Sequence, residues 1–106
     1  MGEPIATTDV IVVRPSGESI DLCIRVFQPF ADAQNATCGV ELTGLFDRVH
    51  NIHGEDTFQA LALALQFVRN ILDGEESNGS VIQIADTDGT APFAWRDCWF
   101  SEHRDR

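Results

Sequence analysis

Asp56-Thr57-Phe58-Gln59-Ala60-Leu61-Ala62-Leu63-Ala64-Leu65-Gln66-Phe67-Val68-Arg69-Asn70-Ile71-Leu72-Asp73-Gly74 decides the fold class. Asp56 with Gln59 three residues later is an Asx form of the capping box. The carboxylate accepts from early backbone N–H groups and the amide reaches back. From Phe58 to Leu72 the run is rich in Ala and Leu and free of Gly and Pro, so propensity favours helix throughout. Gly74 is the residue type that follows a helix terminus, and the expected helix spans 57–72. Two apolar stripes run along it: Phe58, Leu61, Ala62, Leu65, Val68 and Leu72, then Ala60, Leu63, Ala64, Phe67 and Ile71. A helix lying on one sheet needs a stripe only a little over about 100° wide. Something besides the sheet must therefore cover the second stripe.

Upstream of the helix the period changes from 3.6 to 2. Asp9 to Arg14 is a β-branched run, and Arg14-Pro15-Ser16-Gly17 is a β-turn with Pro at its second position. Ile20, Leu22, Ile24 and Val26 then alternate with Asp21, Cys23 and Arg25, which gives a strand with one buried and one wetter face. The two strands make a hairpin. Beyond a polar loop with Pro29 and Asn35, Cys38, Val40 and Leu42 alternate with Gly39, Glu41 and Thr43. Gly44 interrupts, and residues 46–52 alternate again; a bulge in one strand and the start of another both fit. Past the helix, Val81 to Ala85 reads as a short strand and Asp86 to Gly89 as a turn. Residues 92–100 hold both tryptophans. A short helix from Pro92 and a strand both accommodate them.

The expected architecture is one α+β domain over residues 1–106. An antiparallel meander of three to four strands (9–14, 20–27, 37–43, 46–52) packs on one long helix (57–72). A short strand (81–85) and an aromatic segment (92–100) follow. A chain of 106 residues with 43% hydrophobic content supports one core and not two.

Charge narrows the function classes. Seventeen acids face seven basic residues, all arginine, for a net charge of −10. Nucleic-acid phosphate and anionic lipid heads bind through Lys and Arg, so both partners are excluded from the expectation. A basic protein partner is compatible. Cys23, Cys38 and Cys98 are odd in number and widely spaced, which fits reduced thiols rather than a disulfide framework. The N-terminus lacks the basic start and apolar run of a signal peptide, and the expected location is the cytoplasm.

No catalytic, cofactor or metal site is assigned. His50 and His53, with Glu55 and Asp56 nearby, are the nearest approach to a metal cluster, but a strand sends residues three apart to opposite faces. Asp86-Thr87-Asp88-Gly89 opens like a calcium loop and lacks the later ligands, with Asp97 where Glu is needed. No cysteine or serine lies in a spacing that marks an activated nucleophile. Phe93, Trp95, Trp99 and Phe100 form the candidate interaction surface, with a lid over the second helix stripe as the alternative.

Gly54-Glu55-Asp56-Thr57-Phe58-Gln59-Ala60-Leu61 resembles the helix start Gly-x-Asp-x-x-Gln-Ala-Leu of a family of small uncharacterised bacterial α+β proteins. The layout of a Cys38 strand and Gly44-Leu45 ahead of it is similar. The resemblance implies a compact domain and brings no activity with it. Three expectations follow. The first is an interaction domain without catalysis, antitoxin-like or immunity-like, that binds a basic protein. The second is a small-ligand-binding or enzymatic domain with a pocket between helix and sheet lined by Phe67, Trp95 and Trp99. The third is a self-associating homodimer with no intrinsic activity.

Overall fold

The computed structural model of the chain describes residues 3–86 and 89–92, with side chains to Ile84. Strands β1 (Pro4–Val13), β2 (Ser19–Phe27), β3 (Phe30–Ala31), β4 (Ala36–Thr43) and β5 (Val49–Gly54) lead into helix α1 (Thr57–Ser77). Strands β6 (Val81–Asp86) and β7 (Gly89–Pro92) complete one antiparallel sheet. Its order is β5-β4-β2-β1-β6-β7, with β3 beside β4 in line with β2.

This sheet is larger than the meander of three to four strands expected from the sequence. The β1–β2 hairpin closes as read, with Gly17 N–H donating to the Arg14 carbonyl at 2.8 Å. β1 begins at Pro4 rather than at residue 9, because Ala6, Thr7 and Thr8 pair with Val26, Arg25 and Ile24 even though they lack an apolar signature. β2 and β3 are one strand line interrupted at Pro29. Val26 pairs with Val40 and Phe30 with Thr37, so one extra residue bulges where proline has no N–H to give. Gly44 is a turn, not a bulge. It holds φ of +119°, a Cβ there would collide with the Asp21 carbonyl, and Phe46 N–H returns to the Leu42 carbonyl. The strand after it is therefore 49–54 instead of 46–52.

The helix also runs on, through Gly74 to Ser77. A glycine inside a helix costs only about 1 kcal/mol, and a better stop lies ahead. Gly79 takes φ of +95° and donates to the Glu76 carbonyl, while Ser80 N–H reaches the Glu75 carbonyl, both at 3.0 Å. These are the paired bonds of a Schellman cap.

β5 and β6 run in the same direction with β4, β2 and β1 between them, so α1 carries the chain back across one face of the sheet. It packs chiefly over β4 and β5. The core is Val10 and Val12 of β1, Leu22, Ile24 and Val26 of β2, Cys38, Val40 and Leu42 of β4, and Ile82 of β6, under Ala60, Ala64, Val68 and Leu72. The buried line of the helix thus runs between the two stripes seen in the sequence. Small Ala60 and Ala64 let it approach β4 and β5, and Phe58 is left 81% exposed and Leu63 42%. Among the described residues no helix is long and apolar enough to cross a membrane.

Candidate functional site

Alternation along each strand sends one set of side chains to the helix and the other to a face that no described element covers. On that bare face the cross-strand pairs Asp9–Cys23 and Cys23–Thr43 line up across β1, β2 and β4, and Asp21 pairs with Ile11. Together they form a depression of about 370 Å³ bounded by Asp9, Asp21, Ile11, Cys23 and Thr43, with the backbone of Val10 and Leu22 beneath. Asp9 and Asp21 are exposed, whereas Ile11 and Cys23 are half-buried, so the floor is apolar and the rim acidic. Burial pushes the Cys23 thiol up, and the hydrogen bond and charge of Asp9 push it further. Next along the sheet Arg25 donates to Glu41 at 3.0 Å, a pair that neutralises the third acid of this face. Asp9 and Asp21 have no salt bridge among the described residues.

Two histidines of β5 part company as strand geometry requires. His50 turns toward the helix, its ring 4.9 Å from that of Phe46 and 5.0 Å from that of Phe67, with a buried Nδ1 that has no hydrogen-bond partner among the described residues. His53 lies on the bare side, with Nδ1 3.1 Å from the Thr37 hydroxyl. Asp56 is occupied as the helix cap, accepting from Gln59 N–H at 2.8 Å. His50, His53 and Asp56, close together in sequence, therefore face different ways. Asp86, the last residue of β6, pairs with Gly89, the first of β7, so both ends of the calcium-like stretch belong to strands.

A groove of about 150 Å³ opens on the helix side, between Leu65, Val68 and Leu72 and the strand residues Ala6, Thr8, Ile24 and Val26. It lies on the opposite flank of the helix from Phe67, whose ring instead lies tilted at 42° against that of His50. Of the residues expected to line a pocket between helix and sheet, Phe67 lies on this other flank, and Trp95 and Trp99 are outside the described residues. Phe93, Trp95, Trp99 and Phe100, expected to form an interaction surface, lie outside the described residues, as does Cys98. The acidic depression was missed in the sequence; its signal, Asp21-Cys23-Arg25 on the wetter face of β2, became a site only once register placed Asp9 and Thr43 on either side.

The Gly-x-Asp-x-x-Gln-Ala-Leu stretch has a structural explanation at each fixed position. Asp56 caps, Gln59 Oε1 accepts from Glu55 N–H at 2.7 Å, Ala60 is buried, and Leu61 packs half-buried against the core. Gly54 lets that first turn approach, since a Cβ would stand 2.6 Å from the Ala60 nitrogen. The motif builds the strand-to-helix corner and supplies no reactive group. No curated protein and no solved structure matches the chain. A family model does, over residues 10–94, from within β1 to just past β7, and on that match the chain belongs to the family described as a domain of unknown function, DUF6968.

Proposed function

We propose that this is a protein-interaction domain without catalysis, antitoxin-like or immunity-like, which takes a basic partner on the bare face of its sheet in the bacterial cytoplasm. The observation that carries the reading is the acid-rimmed depression between Asp9 and Asp21. Lys and Arg side chains bury an apolar stem and keep a charged head at a polar edge, and Ile11 with the Cys23 side chain offers the stem a floor while the two carboxylates receive the head. The net charge of −10 would steer such a partner from a distance. Cys23 and Cys38 are free thiols, which accords with a reducing compartment.

The test is a pull-down from source-organism lysate with the wild type and with Asp9→Asn/Asp21→Asn, at low and moderate salt. Expected is a basic protein retained near one-to-one by the wild type and lost by the double variant. Equal retention by both proteins overturns the assignment to this face.

A second reading, a small-ligand-binding domain, is favoured by the helix-side groove. Its apolar walls enclose about 150 Å³, room for a single aromatic ring, with one side open to solvent. Indole or benzene then raises the melting temperature, and Ala6→Leu, which fills the groove, abolishes the rise.

A further inference from the structure

Gly74 lies inside α1, three residues before its end, in ordinary helical backbone that any residue adopts. A Cβ added there meets nothing within 4 Å, so no neighbour excludes one. Glycine is nevertheless the least favourable residue after proline for a helix interior. Neither backbone conformation nor packing accounts for it. Its effect is to leave the helix backbone bare along a cleft of about 360 Å³, within the size of small-molecule sites, about 300–1,000 Å³.

Arg14 reaches this cleft from the end of β1, its guanidinium fixed by two bonds to Glu75, which Ser80 holds in turn. Phe46, placed by the turn at Gly44, lines it with a side chain 39% exposed. Asn70 and Asn78 add amides with unused capacity. Asn70 engages only its Oδ1, which accepts from Gln66 at 3.0 Å, and the Asn78 side chain has no hydrogen bond among the described residues. Nucleobases are held by stacking on aromatic rings and guanidinium planes, and by hydrogen bonds to their edges. The cleft presents each of these groups. We propose that it binds an uncharged nucleobase, free or as its nucleoside, lying against the bare helix backbone at Gly74.

Charge sets the class of ligand. Arg14 and Glu75 cancel, so the lining offers a phosphate no net positive charge. The cleft also stands at the C-terminal end of α1, where the helix dipole is negative and no basic residue occupies the last turn. The whole chain carries −10. A phosphate is repelled on every count, whereas a neutral base is not. The cleft shares no residue with the Asp9–Asp21 depression or with the helix-side groove, so this proposal and the functions proposed above stand or fall separately.

Titration of the isotope-labelled full chain with adenosine, uridine and adenosine monophosphate, followed by two-dimensional amide NMR, tests the proposal. Expected are saturable shifts of the Gly74 backbone amide and the Asn70 and Asn78 side-chain amides with at least one nucleoside. The monophosphate should bind on the order of tenfold more weakly than adenosine. Gly74→Ala should raise the melting temperature, because it improves the helix, and at the same time weaken nucleoside binding. Gly74→Leu should abolish binding with far-UV circular dichroism unchanged. No saturable shift with either nucleoside overturns the proposal. So does binding that survives Gly74→Leu, or a monophosphate that binds as well as its nucleoside.

Discussion

Arg14 at the end of β1 and Glu75 near the end of α1, 61 residues apart, are held together by two hydrogen bonds, Nη2 to Oε2 at 3.1 Å and Nε to Oε1 at 3.4 Å. Ser80 adds its hydroxyl to the same carboxylate at 3.0 Å. The helix terminus is thereby tied to the first hairpin and to the start of β6. The Arg14 bond holds the Glu75 carboxyl below the usual glutamate range, with Ser80 assisting against burial. A depressed carboxylate stabilises the fold fully above its unfolded value, about 4.3, and this stabilisation is lost as pH falls through the folded value. Glu75→Gln should lower the melting temperature at neutral pH and flatten the acid limb of a calorimetric series taken between about pH 3 and 7. An acid limb as steep as that of the wild type would show that other carboxylates control it.

Gly54→Ala places a methyl against the first-turn backbone of α1 at Ala60, where no flexible side chain can give way. Urea unfolding should show a loss of about 1–3 kcal/mol, the usual range for overpacking. Asp56→Ala removes the cap from the same corner and should cost about 1 kcal/mol.

Leu72 is fully buried and also forms one wall of the helix-side groove. Leu72→Ala should lose about 2–5 kcal/mol by the same measurement. Because the groove already opens to solvent, the enlarged space should be read for ring binding as well, by whether indole recovers part of the lost melting temperature.

In a Cys98→Ser background, thiol-modifying reagent at neutral pH should reach Cys23 before Cys38. Cys23 is half-buried on the bare face, whereas Cys38 is fully buried and donates to the Phe27 carbonyl at 3.3 Å. Asp9→Asn should quicken modification of Cys23, since it removes a charge that keeps the thiol protonated. A rate unchanged by Asp9→Asn would mean that burial alone controls this thiol.

The features legible in the sequence were those fixed by neighbours in the chain. The hairpin at Pro15, the face alternation of β2 and the Asp56–Gln59 start of the helix all rest on contacts a few residues apart. The features misread were those settled at a distance. Gly74 looked like a stop, yet the helix passes it to a cap anchored by Arg14, 61 residues earlier in the chain than Glu75. Thr7 and Thr8 carry no strand signature and are strand because β2 pairs with them. β3 is too short to announce itself, and Pro29 argues against a strand at the very point where the strand line continues. The depression between Asp9 and Asp21 depends on cross-strand register, which alternation along one strand cannot supply.

The return of the chain by way of α1 has a consequence for how the molecule forms. Strands β1, β2, β4 and β5 are consecutive hairpins whose partners emerge close together, so they can assemble while the rest is still being synthesised. The contact of Val13 with Val81 closes the longest loop in the described sheet, and long closures form late because their entropy cost precedes any reward. Until the helix is complete, a nascent sheet ending at Gly54 presents Val10, Leu22, Ile24, Val40 and Leu42 uncovered. The interval of greatest aggregation risk for this protein is therefore set by the time taken to translate residues 55–81, and slow codons placed there would lengthen it.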